Sequence, residues 1–312
     1  MGRKRGGLIE EFALRTSGDL LADRRFRYAQ DLAAEGDHAA AADLYAQALE
    51  LAPAWAPGWL ALGDAKARLG DRAAAEAAFR KADELDAAGV LGAPLALASL
   101  GTAETPSAAD PAYVRALFDD YAPRFERHLA DSLAYRGPAL LHAALESVAP
   151  VPARFARACD LGCGTGLMGA ALRHRIDWLA GVDLSPAMVD QAREKAVYDA
   201  LAVGEMGDAL AGMAPLDLAV AADVLVYVGD LRTVFVPVAA VLRPGGLFAF
   251  TVQSAPEGED VIVGADRRFA HSRAHVLSRA NEAGLSVVLC EPGSTRQDAG
   301  RDVPGFVVVL RR

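Results

Sequence analysis

The sequence predicts an α/β protein, with a mostly parallel seven-stranded sheet, helices on both faces, and a small all-α domain ahead of it. Three observations carry that reading. A pattern repeats at a 34-residue offset in the first third of the chain. After Pro152 an order of strand, glycine turn and helix recurs, and three alternate glycines follow the first of those strands.

Composition sets the outer bounds. The 312 residues suffice for two domains, and 53% hydrophobic with 23% charged residues is ordinary for a globular chain. A formal charge of −9 argues against a nucleic-acid-binding surface over the whole molecule, so no nucleic-acid partner is expected. Cys159, Cys163 and Cys290 cannot all pair within the chain, and none forms a C-x-x-C motif. That usage points to a reducing cytoplasm and no metal site. Glu10, Glu11 and Arg15 interrupt the apolar residues after the basic start, leaving no signal-peptide core. The longest apolar stretch, Val90 to Leu100, is too short to span a bilayer and contains Gly and Pro, so no membrane partner is expected.

Four segments follow: a tail with a candidate capping helix over 1–21, two helical repeats over 22–89, a linker over 90–110 and a larger domain over 111–312. In the repeats, Gly70-Asp71 falls on Gly36-Asp37, Phe79 on Tyr45 and Ala82 on Ala48. Glycine then aspartate stops one helix and starts the next. With Trp59, Leu62, Gly63 and Ala75, the pair resembles tetratricopeptide (TPR) repeats. The first copy lacks the Trp and Gly, and the second has Ala87 where the first has Pro53. Two repeats bury too little surface alone. Either Leu8–Leu14 or the helix from Tyr113 is expected to complete the stack. The resemblance leaves two roles open, a structural cap or a groove for a protein or peptide partner.

The segment 90–110 is rich in Ala, Gly, Pro, Ser and Thr, with room for a packed helical turn at Leu95–Leu100. Beyond it, Tyr113, Val114, Leu117, Phe118 and Tyr121 recur at helical spacing up to Pro123, and Pro138–Val148 forms a second helix. Strands are expected at Phe155–Leu161, Trp178–Val182, Ala200–Val203, Leu216–Ala221 and Leu247–Val252, separated by helical patterns as in a parallel sheet. Leu285–Cys290 and Phe306–Leu310 have no helix-sized insert between them and are expected to be antiparallel neighbours.

The densest chemistry lies in Asp160-Leu-Gly162-Cys163-Gly164-Thr-Gly166. Glycines there allow a tight turn and a close ligand approach, and the next helix offers free N–H groups. Gly164 to Gly169 formally satisfies G-x-G-x-x-G, with Asp183 at the end of the next strand, a pattern that suits NAD equally well. Asp160 decides against it, because a carboxylate beside a pyrophosphate is repelled, whereas one beside a cationic amine is not.

The loop therefore resembles the first motif of class I S-adenosylmethionine-dependent methyltransferases, which are Rossmann-like. Gly181-Val-Asp183-Leu-Ser-Pro-Ala-Met188 and Leu242-Arg-Pro-Gly-Gly246 follow in the family's order. Together with the repeats, Asp223-Val-Leu-Val-Tyr227 and Phe269-Ala-His271-Ser272 resemble a bacterial TPR-containing subgroup described by analogy with trans-aconitate methyltransferase. The resemblance implies that Gly162, Cys163, Gly164 and Gly166 wrap the methionine moiety of S-adenosyl-L-methionine, with Asp160 near its amino end. It further implies Asp183 on the ribose, Leu184 and Met188 near the adenine, and Glu205 or Asp208 on the adenine amino group. For Met188, plain packing is an equal expectation. Asp223 and Tyr121 complete the expected cofactor site, and Tyr121, Arg124, Phe125 and His128 form an expected lid.

Methyl transfer needs in-line positioning more than acid–base chemistry, and a carboxylate acceptor needs no base. The candidates for catalysis are Asp223, Tyr227 and His271. Asn-Pro-Pro-Tyr is absent after the fourth strand, which weakens the case for an amide or exocyclic nitrogen acceptor. Arg267, Arg268, Arg273 and Arg296 are expected as solvated charges. Cys163 has no partner base nearby and is expected to be a small residue that fits. The implied function is methyl transfer to a small-molecule or protein acceptor. The alternative is an S-adenosylmethionine-binding assembly factor or adaptor.

Overall fold

The computed structural model describes residues 16–131, 133–149, 154–298 and 300–312. It divides into two compact units, Met1–Pro106 with Ala265–Arg267, and Ser107–Gly264 with Arg268–Arg312.

The first unit is helical: α1 (Leu20–Glu35), α2 (His38–Leu51), α3 (Ala56–Arg68), α4 (Arg72–Leu85) and α5 (Ala93–Ser99). The repeat shows in its turns. Gly36 and Gly70 take φ of +92° and +78°, and Asp37 and Asp71 then accept the N–H groups of Ala40 and Ala74 at 3.0 and 3.2 Å. Glycine enters the left-handed region without strain, and each aspartate satisfies an orphan helical donor. Phe26 packs its ring 5.1 Å from Tyr45 and 4.5 Å from Trp55. Gly63 leaves the space that Phe79 fills, since a Cβ there would lie 2.4 Å from that ring.

Two expectations change here. The stack is completed by α5, whose Ala93, Ala96 and Leu97 pack with Leu91 against Ala75, Phe79 and Ala82. The helix from Tyr113 belongs to the other unit, and Leu8–Leu14 lies outside the described residues. Part of the stretch read as linker is therefore core. Arg267 is not solvated either: it is 2% exposed, pairs with Asp64 at 2.6 Å and lies 5.8 Å from the Phe79 ring centre.

The second unit opens with α6 (Pro111–Tyr121), α7 (Phe125–Asp131) and α8 (Gly137–Val148). Strands and helices then alternate: β1 (Phe155–Leu161), α9 (Leu167–Leu172), β2 (Ile176–Asp183), α10 (Pro186–Glu194), β3 (Ala200–Val203), α11 (Met206–Leu210), β4 (Leu216–Ala221), α12 (Arg232–Val241) and β5 (Leu242–Ser254). The chain ends with β6 (Val261–Val263), β7 (Phe269–His271), α13 (Arg273–Glu282), β8 (Ser286–Gly293), β9 (Gln297–Asp298), β10 (Arg301–Asp302) and β11 (Gly305–Arg311).

The sheet runs β3-β2-β1-β4-β5-β11-β8, parallel through β5, with β11 antiparallel to both neighbours. That path holds the seven expected strands, and the short β6 and β7 extend it beside β5. One apolar layer joins the sheet to α12 and α13 through Phe235, Phe248, Phe250 and Val276. The other joins it to α8 and α9 through Leu141, Leu145, Met168 and Leu172. Helices thus cover both faces, and the register sets Asp160 beside Gly181 and Val220, near the carboxyl ends of β1, β2 and β4. Ligands of open α/β sheets bind at that edge. Among the described residues no helix is long and apolar enough to cross a membrane.

Candidate functional site

The turn after β1 is shaped by what its glycines lack. Gly162, Gly164 and Gly166 take φ of +65°, +52° and +91°. A Cβ on Gly162 would meet Val224 at 2.4 Å, so the turn and the segment after β4 are in direct contact. Three glycines from two elements make room for one ring: Cβ atoms on Gly166, Gly169 and Gly181 would lie 3.0, 2.4 and 2.9 Å from Tyr198.

Asp160 is 1% exposed. Its Oδ2 accepts the Tyr198 hydroxyl at 2.7 Å, while its Oδ1 is buried without a hydrogen-bond partner. Burial pushes this carboxyl up to about 7, the Tyr198 hydroxyl and the Gly169 backbone pull it back, and the Asp183 charge adds to the rise. Asp183 ends β2, with Oδ2 accepting the Gly164 N–H and Oδ1 the Ser185 N–H, both at 2.9 Å. Burial raises its carboxyl, and those N–H groups oppose the rise. The helix cap is supplied separately by Ser185, whose hydroxyl accepts the Met188 N–H at 3.0 Å. Asp183 is therefore not the helix cap, and two backbone donors fix its carboxylate.

The expected lid lies over this turn. A Cβ on Gly164 would be 4.0 Å from Phe125, whose ring meets Tyr121 edge-on at 5.1 Å. Three polar ties fasten the lid to α10 and its cap: Ser185 to Asp119 at 2.6 Å, Gln191 to the Ala122 carbonyl at 2.6 Å, and Lys195 to Glu126 at 2.5 Å. Tyr121 is 4% exposed and its hydroxyl bonds His128 Nδ1.

After β4, Asp223 holds φ +60°, a costly conformation for a residue with a Cβ. Its N–H donates to the buried Thr251 hydroxyl at 2.9 Å. Its carboxylate accepts the Thr295 hydroxyl at 2.9 Å and Arg296 at 3.0 Å. Arg296, expected in solvent, is 4% exposed and neutralises Asp223. The sequence pattern did not single out Thr295 or Tyr135. The Tyr135 phenol is pushed well up by burial and by the charges of Asp223 and Asp160.

Other expected residues separate from this group. His271 is corrected outright: it lies within β7, is 0% exposed, and its Nε2 bonds the Val228 carbonyl at 2.9 Å. Burial and the neighbouring His275 push it down to about 4, so it is a neutral core residue, closed off from solvent. Met188 is 0% exposed, which makes it packing under the sheet edge. Tyr227 is 9% exposed and edge-on to Phe118 at 5.6 Å. Leu184 offers its carbonyl to Arg115 at 3.0 Å. Glu205 caps α11 without a side-chain bond, and both it and Asp208 are exposed. Burial and the Asp160 charge push the Cys163 thiol up, so it is an unreactive neutral group. The Arg243–Gly246 stretch joins β5 to the chain's last residue, since Gly245 N–H donates to the Arg312 carbonyl at 2.9 Å and Arg312 N–H to Gly246.

A turn of this build, ahead of this strand order, has relatives. Residues 159–250 match the family described as methyltransferase domain, and residues 56–88 match a tetratricopeptide repeat. Over residues 159–250 the chain is therefore similar to methyltransferase domains. Human methyltransferase-like protein 27 is 34% identical over 175 residues, 54% of this chain and 66% of that protein. The malonyl-[acyl-carrier protein] O-methyltransferase of Salmonella typhimurium is 30% identical over 135 residues, 42% of this chain and 53% of that protein. The chain thus spans less than two thirds of the length of these relatives. In fold, the chain is similar to Burkholderia thailandensis 1,6-didemethyltoxoflavin-N1-methyltransferase, solved with bound 1,6-didemethyltoxoflavin and S-adenosylhomocysteine. That match has a TM-score of 0.52 at 18% identity, over 67% of this chain and 93% of that one. Synechocystis magnesium protoporphyrin IX methyltransferase with bound SAH gives 0.51 at 16%, over 65% and 100%.

Proposed function

We propose that this protein is an S-adenosylmethionine-dependent methyltransferase acting on an oxygen nucleophile of a small molecule or a protein. The carrying observation is the buried Oδ1 of Asp160, an acceptor without a donor beside a turn whose three glycines take positive φ. A buried polar atom left unpaired costs about 1–3 kcal/mol, which a ligand's ammonium group would recover. The residues present fit the cofactor: Asp160 for its amine, Gly162 and Gly164 for the close approach, and Asp183 for a diol. S-adenosylmethionine, when bound, supplies an electrophilic methyl group on a sulfonium.

The chain's own residues then orient and enclose. Phe118, Tyr121, Phe125 and Tyr227 form an aromatic roof that excludes water from the sheet edge. Asp223 faces the acceptor side with its charge already met by Arg296. His271 is sequestered, which supports an acceptor that needs no deprotonation, such as a carboxylate, over one that does. Two relatives carry O-methyltransferase names, the Salmonella protein and a ubiquinone biosynthesis O-methyltransferase of Xylella fastidiosa, 32% identical over 108 residues, which supports oxygen as the nucleophile. The repeats, on this reading, dock the acceptor or its carrier.

Calorimetric titration with S-adenosylmethionine and with NAD tests the cofactor, and the proposal expects saturable binding of the first alone. Tight NAD binding with no response to S-adenosylmethionine would sink it. Loss of binding in Asp183→Ala is a second requirement.

A further inference from the structure

Tyr198 lies outside every motif of the sequence, yet its ring fills the space left by three glycines, Gly166, Gly169 and Gly181. It sits between α10 and β3, on a short strap nailed to β2. The next residue, Asp199, donates its N–H to the Leu179 carbonyl and accepts the Leu179 N–H on its carboxylate, both at 2.8 Å. Arg173 adds an ion pair to Asp199 at 2.5 Å. The strap is thereby fixed, and the tyrosine ring enters the hollow left by Gly166, Gly169 and Gly181.

We propose that Tyr198 is a positioning residue for the cofactor's amino group: its hydroxyl holds Oδ2 of Asp160, which turns the unpartnered Oδ1 toward the ligand. The inference rests on the S-adenosylmethionine reading above and deepens it. A carboxylate has two oxygens in fixed relation, so tying one sets the direction of the other. The tie also favours the ionised form of Asp160, which an ammonium group requires. The groups facing Asp160 are Tyr198 from the strap, Asp183 at the end of β2, Cys159 and Cys163 along β1 and its turn, and Tyr135 from the segment before α8. Of these, Tyr198 is the side chain hydrogen-bonded to Asp160, and the Gly169 backbone also favours its ionised form.

Two probes separate positioning from packing. S-adenosylhomocysteine carries the amino acid end, whereas 5′-methylthioadenosine keeps the adenosine and thioether and lacks the ammonium. Tyr198→Phe keeps the ring in its hollow and removes the hydroxyl. At pH 7.5 it is expected to weaken S-adenosylhomocysteine about tenfold and methylthioadenosine less than about twofold, the size of one charge-assisted hydrogen bond. Affinity for S-adenosylhomocysteine should rise with pH in the intact protein. In the variant the midpoint of that rise should move upward, because the carboxyl loses a donor that favours its ionised form. Tyr198→Met, which fills the hollow flexibly and also lacks the donor, supplies a second variant should the first melt. Equal losses for both probes, or an unmoved pH midpoint, overturn the positioning role. Failure of the intact protein to bind S-adenosylhomocysteine at any pH overturns the functional proposal itself.

Discussion

Gly63 and Gly162 do opposite work, and the difference separates the two units. Gly63 sits in a regular helix, and its missing Cβ lets Phe79 close the space between two helices. The repeats gain packing from it, and their turns use φ > 0 only where glycine allows it freely. Gly162 also gives way to a neighbour, Val224, but it does so in a turn that leaves Asp160 with an unpaired oxygen. Close by, Asp223 is held in the left-handed region, its carboxylate met by Arg296. One region uses its glycines for packing, and the other for a turn beside a buried carboxylate oxygen that the proposed ligand would pair.

The largest break in that contrast should come from Gly162→Ala. Left-handed strain and the clash with Val224 together cost about 4 kcal/mol, and S-adenosylhomocysteine binding should vanish in calorimetry. Arg296→Ala should cost about 3 kcal/mol in chemical denaturation, because Asp223 is left with a largely buried, unpaired charge. Adding Asp223→Asn should restore part of that loss, and additive losses would dissolve the pairing argument. Gly63→Ala, with no backbone strain, should cost about 2 kcal/mol and lower the melting temperature. Its affinity for S-adenosylhomocysteine should stay within about twofold, since the clash is confined to the repeats. Smallest of all, Cys163→Ser should change stability by about 1 kcal/mol and leave methyl transfer intact, as expected of a thiol that only fits.

Much of the second unit was legible because its signals are local. Asp160, the glycines and Asp183 lie within one strand–turn–helix–strand unit, so spacing alone brought them together. Tyr198, Thr295 and Arg296 were illegible for the opposite reason. Tyr198 reaches Asp160 across 38 residues, and Arg296 reaches Asp223 across 73. A charged side chain has no periodicity that announces a distant partner. His271 was misread because β6 and β7 are three residues each, too short for alternation to show. In the repeats, α5 hid in an Ala-, Gly- and Pro-rich stretch that has the composition of a linker. Its burial against Phe79 is a tertiary fact.

The claim that the site trades stability for ligand binding is tested most directly by Asp160→Asn. In the folded protein this carboxyl titrates near 7, above its ordinary 3.8. The folded state therefore binds more protons than the unfolded state between those values, and stability falls as pH rises from about 4 to 7. Asparagine removes that fall. The account predicts that Asp160→Asn melts higher than the natural sequence at pH 8 and has lost S-adenosylhomocysteine binding. A variant that melts no higher and binds S-adenosylhomocysteine as before would contradict it.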